Sequence, residues 1–447
     1  MPKKSSFGAP LRRGRLAGRF HHFAGTAALG FSGPQRDQLT RGLVLLMIAG
    51  VILLQRFALP IGDTPLSLSL VLGFGLFLGL VVTGRLAINT QRLGLFLFAS
   101  ATLLLTQLTG PGRFSPSSVG LLLLLYSIYV FRFRHGISLS GSVLRMFRGV
   151  MVICAAAGVS QFLLQFVAGA EVIFPIDRFV DESFLLPRFN VIIPLEYGSP
   201  IMKSNGVFFL EPSVFSQFMA LAFLIESLYF RSMWRQALFL VGLFVAYSGT
   251  GLLLFGVSLP AIFLRPRGLR TLIVVALLAV VVVVGGEQLY IDTIARRVGE
   301  FQGTRTSGFA RFISPFFLVD EFTFDTLPSS LFGLGAGSID SVFDKVLYLA
   351  HDPSWVKVTF EYGVVGAAVF FAYFGHVLFY RSPDWRLSFV LLMQFLFLGG
   401  YLLSNYQHFV IAFLVAWHRP EPGLRSAAAR EAAALAPRRA RMSPGSG

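Results

Sequence analysis

His351 and Arg311 are the residues of this chain best suited to chemistry, and both fall in its one long polar stretch, Gly286 to Gly363. An imidazole with an ordinary pKa near 6.5 can take a proton from a hydroxyl at neutral pH as a new bond forms, which is the task of a general base. Arg311 closes the segment SGFAR, and Arg296 and Arg297 stand as a pair upstream of it. A guanidinium fork matches phosphate oxygens in two-pronged fashion, so these three suit a diphosphate head group beside a membrane. Each group also has a plainer reading. An interfacial His can bond a backbone carbonyl, and the arginines can pair with Glu300, Asp320 or Glu321. Lys203 and Glu211 flank a return of the chain into an apolar run, where Glu211 is equally suited to a helix N-terminus.

Groups of this kind need elements that hold them at one surface. Ile339, Val342, Phe343, Val346, Leu347 and Ala350 recur at helical spacing, which predicts an amphipathic helix over 338 to 350. It should lie on the outer interface and deliver His351 at its end. The segment GLGAG (333 to 337) lacks the flanking strand and helix of a nucleotide loop and reads as a tight turn with close backbone approach. No cluster of His, Asp and Glu has metal-ligand spacing, so no metal site is expected.

Hydrophobic residues make up 55% of the chain and charged residues only 13%, too little polar surface for a water-soluble protein of this length. Runs of roughly 18 or more apolar residues can cross about 30 Å of hydrocarbon as helices, and their continuity excludes alternating barrel strands. The expected fold class is therefore all-α: a polytopic integral membrane protein of about 12 transmembrane helices, with a large outer loop before the last three. The net charge is +16, but the cations are dispersed over tails and short links, which argues against nucleic acid as a partner. Cys154 is the only cysteine, so there is neither a disulfide framework nor a thiolate metal site.

Residues 1–41 carry eight Lys or Arg against the single acid Asp37, and residues 419–447 are again basic. Both are expected to be disordered cytoplasmic tails flanking a membrane domain at 42–418. No short apolar region with a cleavage site follows Arg12 and Arg13, so no removed signal is expected. The Arg-rich links 84 to 92 and 131 to 148 belong inside by the positive-inside rule, whereas IGDTP and the link around Arg113 belong outside. Outer loops then fall at about 171–206 and 286–355. They hold five and nine, respectively, of the 22 acidic residues. The run 237 to 264 is long for one span and is interrupted by YSGTG before the cationic RPRGLR, which points to two short helices turning outside near Ser248 to Gly251.

SNGVFFLEPSVFSQF, YSGTG, SGFAR, LFGLGAGS and AHDPSWVKVTFEYGVVG, in that order and with a large outer loop between the last helices, resemble the bacterial O-antigen polymerase and O-antigen ligase superfamily of membrane glycosyltransferases. The resemblance covers residues 200 to 380. Its most specific piece is the His followed by Glu-x-Gly. It implies inverting glycan transfer from an undecaprenyl diphosphate carrier to a glycan acceptor, at the periplasmic face of the inner membrane. No nucleotide sugar, obligatory metal or other cofactor is implied; the partners are the lipid bilayer, both lipid-linked glycans and a chain-length regulator protein. His351 then matches the family's loop His, Arg311 its loop Arg, and Glu361 and Gly363 its Glu-x-Gly. Two positions depart: Gly249 stands where the family often has Arg, and Asp352 where it often has Asn. Lys203 or Arg188 are the candidates to replace the missing phosphate contact. The NGVFFLEPS segment is closer to the polymerase branch, with ligation of polymer to a lipid-linked core as the alternative. A transporter or flippase is the alternative from another class. It is less favoured because charge gathers in an outer loop and not at the bilayer midplane.

Overall fold

The computed structural model describes residues 33–61, 64–134, 139–175, 179–187, 189, 191–196, 198–263, 271–277, 303 and 306–418. Within them the apolar runs are helices: α1 (Gly33–Leu53), α2 (Leu68–Val82), α3 (Thr90–Thr109), α4 (Pro116–Ser127), α5 (Ser140–Ala168), α6 (Pro212–Ile225), α7 (Met233–Val245) and α8 (Gly249–Phe263). Four short helices follow in the second loop: α9 (Ser307–Phe312), α10 (Ser314–Leu318), α11 (Leu327–Phe332) and α12 (Asp340–Phe343). The chain ends on α13 (Ser354–Phe379), α14 (Trp385–Phe397) and α15 (Asn405–Ile411). Start signals are local. Asn89 and Ser115 accept main-chain N–H groups of α3 and α4, and Pro212 occupies the first turn of α6, where its missing N–H costs nothing.

Thr90–Thr109, Ser140–Ala168, Pro212–Phe230 and Ser354–Phe379 are long and apolar enough to cross a membrane unaided. The shorter apolar helical stretches, such as Gln38–Leu53, Met233–Val245 and Asn405–Ala416, reach about 18 to 24 Å at 1.5 Å per residue, less than the ~30 Å of hydrocarbon. Four helices are thus of spanning length among the described residues, and the count of about twelve crossings stays an expectation from the apolar runs and link charges. α1 begins at Gly33, inside the stretch expected as a disordered tail; residues 1–32 and 419–447 lie outside the described residues.

Two antiparallel ribbons mark the two ends of the bundle. At the first end, β3 (Leu86–Ile88) pairs with β4 (Phe131–Phe133), with Ala87 opposite Arg132, so the two cation-rich links bond to each other. Phe133 N–H also donates to Trp417 O at 2.9 Å, and Arg132 Nη2 to Tyr380 O at 2.9 Å. At the second end, β1 (Ala58–Ile61) pairs with β2 (Thr64–Ser67), and Phe57 bridges Leu185 of the first large loop. The link after α3 joins the same end, since Ser115 N–H donates to Ala336 O at 2.8 Å. The run 237 to 264 is two helices, as its YSGTG interruption predicts, with Tyr247 at φ 43° in the turn. Ser204 N–H donates to Val245 O at 3.0 Å, which places that turn at the second end, while Gln236 Nε2 reaches Thr271 Oγ1 at 3.1 Å near the first.

α6 is the central helix, buried along nearly its whole length against α5, α7, α8 and α14. Lipid tails are as apolar as leucine, so close packing and hydrogen bonds hold such helices together, and small residues permit the approach. A side chain at Gly158 would collide with the Phe215 ring, and one at Gly251 with Ser216. At the first end, buried Arg92 donates to the carbonyls of Tyr129 (3.2 Å), Ala416 (2.6 Å) and Val377 (2.9 Å), satisfying three helix ends at once.

The amphipathic helix expected over 338 to 350 is much shorter: only Asp340–Phe343 is helical. Its apolar residues are used differently. Ile339 and Val342 are buried with Leu318, Val319, Val356 and Phe360, and Phe343, Val346 and Ala350 pack against that satellite core, while Leu347 is 94% exposed. The chain turns to wrap this core, because His351 has to meet α9.

Candidate active site

Arg311 sits in the last turn of α9, whose start is fixed by Thr306 accepting the Phe309 N–H. Forty positions on, His351 N–H donates to Ala310 O at 3.1 Å, so the carbonyl beside Arg311 anchors the imidazole-bearing residue. The imidazole is held below its ordinary pKa, first by burial and then by the Arg311 guanidinium, with Asp352 and Glu211 opposing. His351 counts among the exposed residues, yet enough protein surrounds the ring for desolvation to be the largest cause. A neutral imidazole under the influence of a guanidinium is a base next to a candidate anion site.

Glu211 precedes α6 and does not cap it with its side chain; its Oε2 accepts from Ser213 Oγ at 2.9 Å. From the residue before α6 it opposes Arg311 in setting the His351 imidazole, so Arg311, His351 and Glu211, drawn from three segments, are coupled electrostatically. Tyr401 adds a fourth segment. Burial keeps its hydroxyl protonated, and Arg311 and Glu211 act on it with opposite signs. That hydroxyl donates to Gln217 Oε1 at 2.6 Å, and Gln217 Nε2 donates to Thr250 Oγ1 at 3.1 Å in the first turn of α8. The break between α7 and α8 is thus wired to the site.

Glu361 has a different place. It lies in α13, 1% exposed, two residues before Gly363, whose φ of 66° and ψ of −176° split α13 into two helices. The split frees carbonyls, and the glycine turn meets them: Leu334 N–H donates to Phe360 O (2.9 Å) and Gly335 N–H to Glu361 O (3.1 Å). Gln107 of α3 completes the join, donating to Glu361 O at 3.2 Å and accepting the Ala336 N–H at 2.6 Å. GLGAG is therefore a close backbone approach, as its composition predicts; a side chain at Gly333 or Gly363 would strike the backbone of the other segment. The Glu361 carboxylate accepts from the Gly337 N–H and lies 3.7 Å from Lys357 Nζ, which also meets Asp352 at 3.0 Å.

Lys203 is buried in the first loop, its N–H donating to Ile193 O at 2.9 Å. Arg296, Arg297 and Arg188 lie outside the described residues. At Gly249, where the superfamily often carries Arg, an added side chain would meet nothing within 4 Å. Sequence reasoning missed Tyr401, which sits in apolar surroundings without a motif, and Gln217, which lies within the SNGVFFLEPSVFSQF segment and was not singled out there. It also missed Lys357, although its position four before Glu361 on a helix was a readable signal.

The arrangement offers a neutral base, a guanidinium and a carboxylate at one end of a membrane-type helix bundle. No curated protein matches the chain. The family model of the WcaD colanic acid polymerase matches residues 43–420, which take in the bundle from within α1 to its last helix and all the site groups just described, and the chain belongs to that family.

Proposed function

We propose that the protein polymerises lipid-linked oligosaccharide repeat units of an exopolysaccharide, by glycan transfer from undecaprenyl diphosphate at the periplasmic face of the inner membrane. The observation that carries this reading is the fastening of His351 to α9 beside Arg311, in a chain of a polymerase family. In the step, an acceptor hydroxyl oxygen bonds to the anomeric carbon of the donor glycan while the carbon–oxygen bond to diphosphate breaks. His351 takes the hydroxyl proton, and the leaving diphosphate carries away the bonding pair, its growing charge met by Arg311. Attack from the face opposite the leaving group inverts the anomeric centre. Glu211 is placed to accept hydrogen bonds from sugar hydroxyls. Glu361, buried under the glycine turn, serves the site through its backbone and not as a ligand contact.

Charge asymmetry supports the orientation: the end with the arginine-rich β3–β4 ribbon suits the cytoplasm, and the end with the site suits the periplasm. Deleting the gene tests the reading by product. Loss of a polymerase leaves single repeat units on the carrier lipid. Long polymer trapped on the carrier would indicate a ligase, and repeat units confined to the cytoplasmic leaflet would indicate a flippase; either overturns the proposal.

A further inference from the structure

Lys357 stands where the His351 loop joins the broken helix. Its side chain is only 10% exposed, and its Nζ lies 3.0 Å from Asp352 Oδ2, 3.7 Å from Glu361 Oε1 and 3.8 Å from Asp340 Oδ1. Each partner belongs to a different part of the site. Asp352 is the chain neighbour of His351, Glu361 closes the first half of α13 against the glycine turn, and Asp340 opens α12. Glu361 Oε1 is buried without a hydrogen bond of its own, and the Lys357 ammonium is the cation beside it. Asp352 is itself confined, since a side chain at Gly400 would come within 3.2 Å of its Oδ1.

We propose that Lys357 is a positioning residue for the transfer reaction, clamping Asp352 beside His351 and locking the His351 loop to the helix break at Gly363. This rests on the function proposed above. Lys357 does not touch the reacting atoms; it acts through Asp352. His351 faces Arg311 from α9, Asp352 from its own loop and Glu211 from the start of α6. Asp352 in turn faces Lys357, which Asp340 and Glu361 share. Removing the ammonium leaves the Asp352 carboxylate, which acts on His351, without the cation that holds it at 3.0 Å. An imidazole in that field holds its proton more tightly, so more of it is charged, and unable to act as base, at a given pH. Removing the Asp352 charge does the reverse.

The test uses the full chain in proteoliposomes, with lipid-linked glycan extracted from a strain lacking this gene as the substrate. Lys357→Met is expected to lower elongation about tenfold at neutral pH and to move the acid limb of the pH profile to higher pH, whereas Lys357→Arg stays within about threefold of the parent. Asp352→Asn, which preserves side-chain volume, is expected to move the acid limb to lower pH, and it carries the test alone if Lys357→Met does not insert. Three results overturn the positioning role: a Lys357→Met rate and profile equal to the parent, a loss of rate with an unmoved acid limb, or limbs of the two variants moving in the same direction. The function reading fails separately, if the parent protein does not elongate the extracted glycan or if His351→Ala elongates it normally.

Discussion

The main-chain N–H of His351 and the carbonyl of Ala310 are joined at 3.1 Å, which fastens the imidazole-bearing residue to the chain neighbour of Arg311. The backbones that carry base and cation are therefore held to each other directly by a main-chain hydrogen bond. Such preorganisation is where much of an enzyme's rate advantage arises, because the donors need not reorganise as charge develops.

His351→Ala and Arg311→Ala are expected to lower glycan transfer by about 10²-fold or more each, the usual size of losing a general base or a group that stabilises developing charge. Both proteins should remain inserted and abundant, since neither side chain belongs to the main core around α6. Polymer length on gels, compared at matched membrane abundance, measures this. Normal polymer from both variants would remove the site assignment.

The pH dependence has a defined sign. Burial and Arg311 hold the His351 imidazole below its ordinary value, so its base form persists across neutrality and is lost only as pH falls through that lowered value. Elongation should thus be flat near neutral pH and fall on the acid side of the ordinary imidazole range. Glu211 opposes the shift, so Glu211→Gln should carry the acid limb to still lower pH. Initial rates across a buffered series decide it, and a Glu211→Gln limb at higher pH would contradict the geometry.

Two glycines should behave oppositely. Gly363→Ala forces a side chain into left-handed backbone and against Leu331, and should cost about 1 to 3 kcal/mol or more, together with elongation. Gly249→Ala faces open space at the start of α8 and should leave both melting temperature and elongation near the parent. Thermal melting in detergent separates the two; equal melting of both variants would mean that the break at Gly363 is not strained.

The helical class, the two-helix reading of 237 to 264 and the close-approach role of GLGAG were all legible, because long apolar runs and glycine spacing report directly on backbone. The 338 to 350 helix was not. Its periodicity identified the apolar face, but whether such a face spreads on lipid or folds around its own core depends on partners, here Leu318, Val356 and Phe360, that a local pattern does not contain. Glu361 shows the same limit: the Glu-x-Gly motif was visible, while its use as a helix break met by Leu334, Gly335 and Gln107 is a tertiary fact.

The proposed sidedness is tested at the two ends marked by the ribbons. With Cys154→Ala as background, Ser248→Cys should react with an impermeant thiol reagent applied outside the cell, and Ser382→Cys, beside the arginine-rich end, should react only after permeabilisation. The reverse pattern would invert the orientation and move the site to the cytoplasm.

The most direct measurement is elongation by the purified protein in proteoliposomes supplied only with its lipid-linked repeat unit. The account predicts polymer on the carrier lipid, with one undecaprenyl diphosphate released for each glycosidic bond formed and neither product from His351→Ala. Repeat units moved across the bilayer without a new glycosidic bond, or polymer formed equally well by His351→Ala, would contradict it.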